Sequence, residues 1–162
     1  MGKTFLLKLE DEIDESLYSN HSTYHAGDSG LDLFVLKDQD IGPGETVLLD
    51  LGIIVQCRSK QKNVVKLCKG EMYNYHSYLM LPRSSVAKTP LIMRNSLGLI
   101  DKGYIGSLKA AFYNTSNEVF KVKRGERYVQ LVNYDLSEVK FKIVNKVRET
   151  SRGIGGFGST GK

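Results

Sequence analysis

VLLDLGIIVQ, residues 47–56, is apolar or alternating throughout and far shorter than an amphipathic helical stripe, so it reads as β-strand. SLKAAFY at 107–113 has the same character, and Val119 to Val122 alternates with its neighbours before Arg124-Gly125. Turn residues punctuate these segments at Gly42-Pro43-Gly44, Asn114 to Asn117 and Arg124-Gly125-Glu126. Ser85 to Lys88, just after Pro82, has room for a short helical turn, and no long helical stripe occurs anywhere. Many short strands at this spacing predict an all-β sandwich or barrel. Residues 58–78, basic and rich in tyrosine, are expected to form a hairpin insertion.

At 162 residues the chain has the size of one domain, and 41% hydrophobic with 25% charged residues is ordinary for a globular protein. No apolar run approaches membrane-spanning length, and the N-terminus MGKTFLLKLEDEIDE turns acidic where a signal peptide needs its cleavage site. An intracellular protein, cytoplasmic or nuclear, is the expectation. Cys57 and Cys68 lack zinc-site spacing, and the histidines 21, 25 and 76 lack the spacing of a metal-binding helix. The net charge of +5 is uneven: residues 1–20 hold five acids against two lysines, whereas 58–69 holds five basic residues and no acid. That balance suits a polyanionic partner, either nucleotide or nucleic acid.

The chain closes on RGIGGFGSTGK, Arg152 to Lys162, too poor in apolar side chains to bury the surface that would offset its ordering entropy. Residues 151–162 are therefore expected to be a mobile arm attached to a domain spanning 1–150. Its glycine amides, with the hydroxyls of Ser159 and Thr160, suit polyphosphate oxygens; Arg152 suits their charge, and Phe157 suits the face of a base. The phosphate-loop pattern is excluded, because that loop must open a helix and here the chain ends.

This tail resembles the fifth motif of the trimeric dUTPases, and four further segments match that family in order. DSGLDLF at 28–34 looks like the first motif, PRSS at 82–85 the second, GLIDKGYIG at 98–106 the third and RGERYVQL at 124–131 the fourth. The resemblance implies a distorted jelly-roll-like barrel assembled as a homotrimer, with each active site taking its third motif from one subunit and its fifth from another. It implies cleavage of dUTP to dUMP and pyrophosphate, with Mg2+ riding on the triphosphate. Such a reaction would limit uracil incorporation into DNA by removing dUTP and would supply dUMP for dTTP synthesis.

Roles carry over position by position. Asp101 is implied to orient and deprotonate the attacking water; an ionised carboxylate is a weak base, so geometry must carry the step. Tyr104 is implied to lie under the deoxyribose and exclude a 2′-hydroxyl. Asn95, the backbone of Gly98, Leu99 and Ile100, and the strand near Lys109 are implied to read uracil. Arg83 and Ser84 are implied to bind phosphate, with Ser84 donating to the bridging oxygen, and Ser85 extends that cluster. Gln130 contacts phosphate or orders the base. Gly158, with Phe157, Ser159, Thr160 and Arg152, belongs to the closing arm. Asp32 either holds a water of the magnesium shell or is an inward-facing structural carboxylate. Two other readings compete: a dCTP deaminase on the same fold, and a non-catalytic regulatory or nucleic-acid-binding protein using the basic 58–69 segment. The intact set of five motifs argues against the last.

Overall fold

The computed structural model describes residues 2–10, 15–19, 21 and 25–155. In chain order the elements are β1 (Thr4–Leu9), α1 (Glu15–Ser19), β2 (Gly30–Leu33), β3 (Gln39–Ile41), β4 (Thr46–Asp50), β5 (Ile53–Lys60), α2 (Val64–Cys68), β6 (Tyr73–His76) and β7 (Tyr78–Pro82). A 3₁₀ turn at Ser84–Lys88 follows, then β8 (Leu91–Met93), β9 (Gly98–Ile100), β10 (Lys109–Asn114), β11 (Phe120–Val122), β12 (Val129–Asn133) and β13 (Phe141–Ile143). The strands form four sheets, ordered β13-β1-β5-β6, β4-β10-β8, β11-β3 and β2-β12-β7-β9. Every pairing is antiparallel except β1 with β13. The all-β, jelly-roll-like class expected from the sequence is borne out. No described helix is long and apolar enough to cross a membrane.

The 47–56 segment is two strands rather than one. Asp50 ends β4 and Ile53 begins β5, so the chain passes from the sheet of β10 to the sheet of β1 between them. Gly52 makes the corner with φ +59°, and a Cβ there would lie 2.6 Å from Leu36 Cδ1. The Asp50 carboxylate caps the corner by accepting from Gly52 N–H at 3.0 Å. Glycine at a corner is the signal that apolar continuity conceals.

Alternation along β10 sends Ala110, Phe112 and Asn114 inward. Phe112 joins Phe5, Leu7, Leu31, Leu33, Ile41, Leu49, Ile53 and Leu131 in a fully buried core shared by the sheets. Truncating such an aromatic to alanine costs about 3–5 kcal/mol. Asn114 is buried without penalty, because its amide donates to Ile41 O (3.0 Å) and Glu118 O (2.7 Å) and accepts from Ser116 N–H (3.0 Å). That clasp ties the end of β10 to β3. Beyond Lys60 the chain crosses through α2 and returns as β6. Paired amide bonds between Gln61 and Asn74, 2.7 and 3.2 Å, close the base of this excursion.

Candidate active site

β9 lies against β7 with Tyr78 opposite Ile100, Leu79 opposite Leu99 and Met80 opposite Gly98. The turn that leads into it, residues 94–97, carries Asn95, and the turn that leaves it carries Asp101 to Tyr104, closed by Tyr104 N–H to Asp101 O at 2.9 Å. Between these turns and the start of β10 lies a cavity of about 210 Å³. Met80 and Leu108 supply apolar lining; Asn95, Gly98, Leu99, Ile100, Tyr104 and Lys109 line it too, with Asp101 and Arg152. Eight of the residues expected at the site thus share one hollow, which is smaller than the roughly 300 Å³ at which drug-sized pockets begin.

The Tyr104 ring is fixed by two features. Its hydroxyl donates to Ser107 O at 2.9 Å, and its outer edge packs so tightly on Gly106 that a Cβ there would fall 2.5 Å from the phenol oxygen. Burial, with the charges of Asp50 and Glu10, pushes the phenol above its ordinary range, so it remains a neutral donor. Asp50 organises the far wall. Opposite Lys109 across β4 and β10, it accepts from Ser107 Oγ at 2.8 Å and lies 3.6 Å from Lys109 Nζ. Burial works to raise its pKa, but the Gly52 N–H, the Ser107 hydroxyl and the charges of Lys109 and Lys37 outweigh it and hold the carboxyl below the usual value.

Asp101 is half-exposed and makes a 2.7 Å ion pair with Arg152 of its own chain. Arg152 is held there by its neighbours: Thr150 Oγ1 donates to Gly103 O, and Ile105 N–H donates to Gly153 O at 3.0 Å. A Cβ on Gly103 would sit 3.3 Å from Arg152 Cβ, so the absence of a side chain there leaves room for the segment 150–153 to lie close. An ion pair this exposed is worth about 0–1 kcal/mol, and an incoming anion displaces it easily. Phe157, Gly158, Ser159 and Thr160 lie outside the described residues.

The other expected residues form a second cluster. Asp32 is 12% exposed in its side chain and holds two arginines, Arg83 Nε at 2.7 Å and Arg127 Nη1 at 3.3 Å. Arg83 also donates to Ser85 Oγ (3.3 Å) and Arg127 O (3.2 Å). Gln130 stands directly opposite Asp32 on β12, and Ser84 is exposed at the start of the 3₁₀ turn. The two clusters sit at opposite ends of β7: Ile100, before Asp101, is opposite Tyr78, whereas Arg83 follows Pro82. Four strand steps separate them by about 13 Å.

Comparison with known proteins settles the family. The dUTPase family's sequence pattern matches residues 20–161. The deoxyuridine 5'-triphosphate nucleotidohydrolase of Polynucleobacter necessarius subsp. necessarius is 34% identical over 93% of this chain and 94% of its own. The chain belongs to the dUTPase family. The enzyme of the same name from Actinobacillus succinogenes is 37% identical, covering 84% of this chain and 83% of its own. The crystal structure of dUTPase from Streptococcus mutans is similar at 26% identity and a TM-score of 0.48, covering 64% of this chain and 75% of that one.

For a member of this family, the donor set bears on where a metal can sit. Both Asp32 oxygens face guanidinium groups, an arrangement that fits positioning of arginines and does not fit direct ligation of magnesium. Among the described residues no group of three or more His, Cys, Asp or Glu is placed to hold a metal ion. Three contributors escaped sequence reasoning. Met80 and Leu108 carry no functional mark in the sequence, nor does Asp50, 59 residues before Lys109; its cross-strand pairing with Lys109 is the signal, and that requires the register.

Proposed function

We propose that this chain is a dUTP diphosphatase that hydrolyses dUTP to dUMP and pyrophosphate. The observation that carries the reading is the hollow beside β9, where a carboxylate, a phenol and strand backbone converge on a space of about 210 Å³. Uracil meets the backbone of Gly98 to Ile100 and the Asn95 amide, and the sugar lies against Tyr104, whose clamped ring leaves no space for a 2′-hydroxyl. Asp101 accepts a proton as water oxygen attacks the α-phosphorus; the bond from that phosphorus to the bridging oxygen breaks, and pyrophosphate departs. Magnesium carried by the triphosphate, and not held directly by Asp32, would supply neutralisation of charge there. Residues 151–162 of a neighbouring copy close over the substrate, with Arg152, Gly158, Ser159 and Thr160 around the phosphates and Phe157 on the base.

Gln130 is opposite Leu81, whereas Arg83, Ser84 and Ser85 follow the Pro82 end of β7, about 13 Å from the Tyr78 end beside Asp101, so these three do not reach the same phosphates within one chain. We infer a homotrimer in which a neighbouring copy supplies them. The face of the β4-β10-β8 sheet turned away from the core supports this, since it exposes Leu48 (46%) and Ile92 (55%) beside Ala111 and Tyr113. Removing dUTP serves to limit uracil in DNA and to supply dUMP for dTTP synthesis, in the compartment of the nucleotide pool.

Asp101→Asn tests the assignment. Turnover is expected to fall by several orders of magnitude with dUTP affinity nearly intact, because the amide keeps the shape but not the basicity. A variant retaining most of its turnover removes Asp101 from the role of base.

A further inference from the structure

The outer face of the β13-β1-β5-β6 sheet gathers cations and tyrosines. Strand register sets what it presents: Lys60 is opposite Tyr73 and Arg58 is opposite both Tyr75 and Thr4, so these side chains share one face. Lys142 on β13 joins them around a hollow of about 210 Å³ formed with Gly2, Thr4, Arg58, Ser59, Lys60 and Tyr73. Tyr73 also borders a second hollow, of about 400 Å³, which continues past Tyr75 to Arg148. The Arg58 guanidinium lies 3.8 Å from the centre of the Tyr73 ring, and that of Arg148 lies 5.2 Å from Tyr75. Four cations and two aromatic rings therefore line a continuous track, against Glu71 and Glu149 at its margin.

None of these groups takes part in the site beside β9. Two tyrosines two positions apart on one strand stand about 7 Å from each other, in line, and a guanidinium lying over each ring extends the stacking surface. A track of cations beside in-line aromatic rings matches the chemistry of an unpaired polynucleotide, whose phosphates meet the cations while its bases stack. A folded acidic partner would have no use for the paired stacking planes, and a duplex hides its base faces.

We propose that this sheet face binds single-stranded nucleic acid, in addition to the nucleotide site and on a different sheet from the one assigned to trimer contacts. The full chain, wild type and variant, is titrated into fluorescein-labelled (dT)20 with fluorescence anisotropy as the readout. Neutralising four phosphates gives log Kd a slope of about 2.8 against log salt, or about fifty-fold weaker binding at 200 mM than at 50 mM NaCl. Lys142→Ala should lower that slope by about 0.7, and Tyr73→Ala should weaken binding about five-fold or more at fixed salt. dUTP hydrolysis by both variants should match wild type, which also certifies their fold and keeps this test separate from the catalytic reading. No binding of (dT)20 at 50 mM NaCl overturns the proposal. So does a silent Tyr73→Ala, or equal affinity for a 20-base-pair duplex or a poly-glutamate peptide, since each reduces the face to bare positive charge.

Discussion

Gly30→Ala isolates the positioning of Gln130. Gly30 has no positive φ, so its backbone accepts alanine. The added Cβ, however, would lie 2.1 Å from Gln130 Oε1 and 3.0 Å from its Cδ, where ordinary contact begins at 3.4 Å; Oε1 must retreat by about 1.3 Å (3.4 − 2.1). The Gln130 Nε2 bond to Pro82 O is already long at 3.5 Å and does not survive such a swing. Because a misplacement of about 1 Å can cost up to about 100-fold, kcat/KM for dUTP should fall about 10- to 100-fold, or about 1.4–2.7 kcal/mol of transition-state stabilisation. Stability should move the other way, since alanine in a strand is favoured over glycine by about 0.5–1 kcal/mol. Steady-state kinetics and a thermal melt read both. The double variant Gly30→Ala/Gln130→Ala completes the cycle: with the glutamine gone the new methyl has nothing to displace, so the pair should be no worse than Gln130→Ala alone. Unchanged kcat/KM in Gly30→Ala, or losses that add in the double variant, would refute the reasoning.

Two other expectations follow from the geometry. Asp101→Asn and Arg83→Ala, each nearly inactive alone, should regain about a quarter of wild-type activity when denatured and refolded as a 1:1 mixture, because a cyclic trimer with the two clusters on neighbouring copies draws each good part with even odds; activity no greater than the sum of the separate variants, in proven mixed trimers, would mean one chain owns both. Burial holds the His76 imidazole below its ordinary value of 6.5, with Lys3 and Lys102 adding and Asp135 opposing. The unfolded chain then takes up this proton first as pH falls, so the stability His76 contributes is complete above about pH 6.5 and is lost through the window just below it. Tm measured from pH 7.5 to 5 should fall less steeply for His76→Gln than for wild type, and parallel curves would show that His76 is not the group responsible.

What the sequence made legible was local. Gly98 to Tyr104 carries a strand, a turn and three of the pocket's functional groups within seven residues, so a single stretch specifies their relative placement. The break at Gly52 was hidden because aliphatic residues run through it, and only the pairing of β4 and β5 with different sheets reveals the corner. Asp32 left two readings open from sequence; its two arginines come from positions 83 and 127, and long-range pairing of β2, β7 and β12 is what brings them together. The same limit hid the extent of the basic, tyrosine-bearing face. Arg58 and Lys60 stood out as charge, but Lys142 and Arg148 join them only through the parallel β1–β13 contact and the irregular segment that Gln56 holds across the sheet, its Nε2 2.7 Å from Arg148 O.

Hydrolysis of dUTP in water enriched in ¹⁸O, with products resolved by mass spectrometry beside dTTP, dCTP and UTP controls, tests the central claim most directly. If water activated at Asp101 attacks the α-phosphorus, as proposed, one ¹⁸O should enter dUMP, none should enter pyrophosphate, and the three control nucleotides should be cleaved far more slowly. Label in pyrophosphate, release of orthophosphate, conversion of dCTP to dUTP, or comparable cleavage of dTTP or UTP would contradict the account.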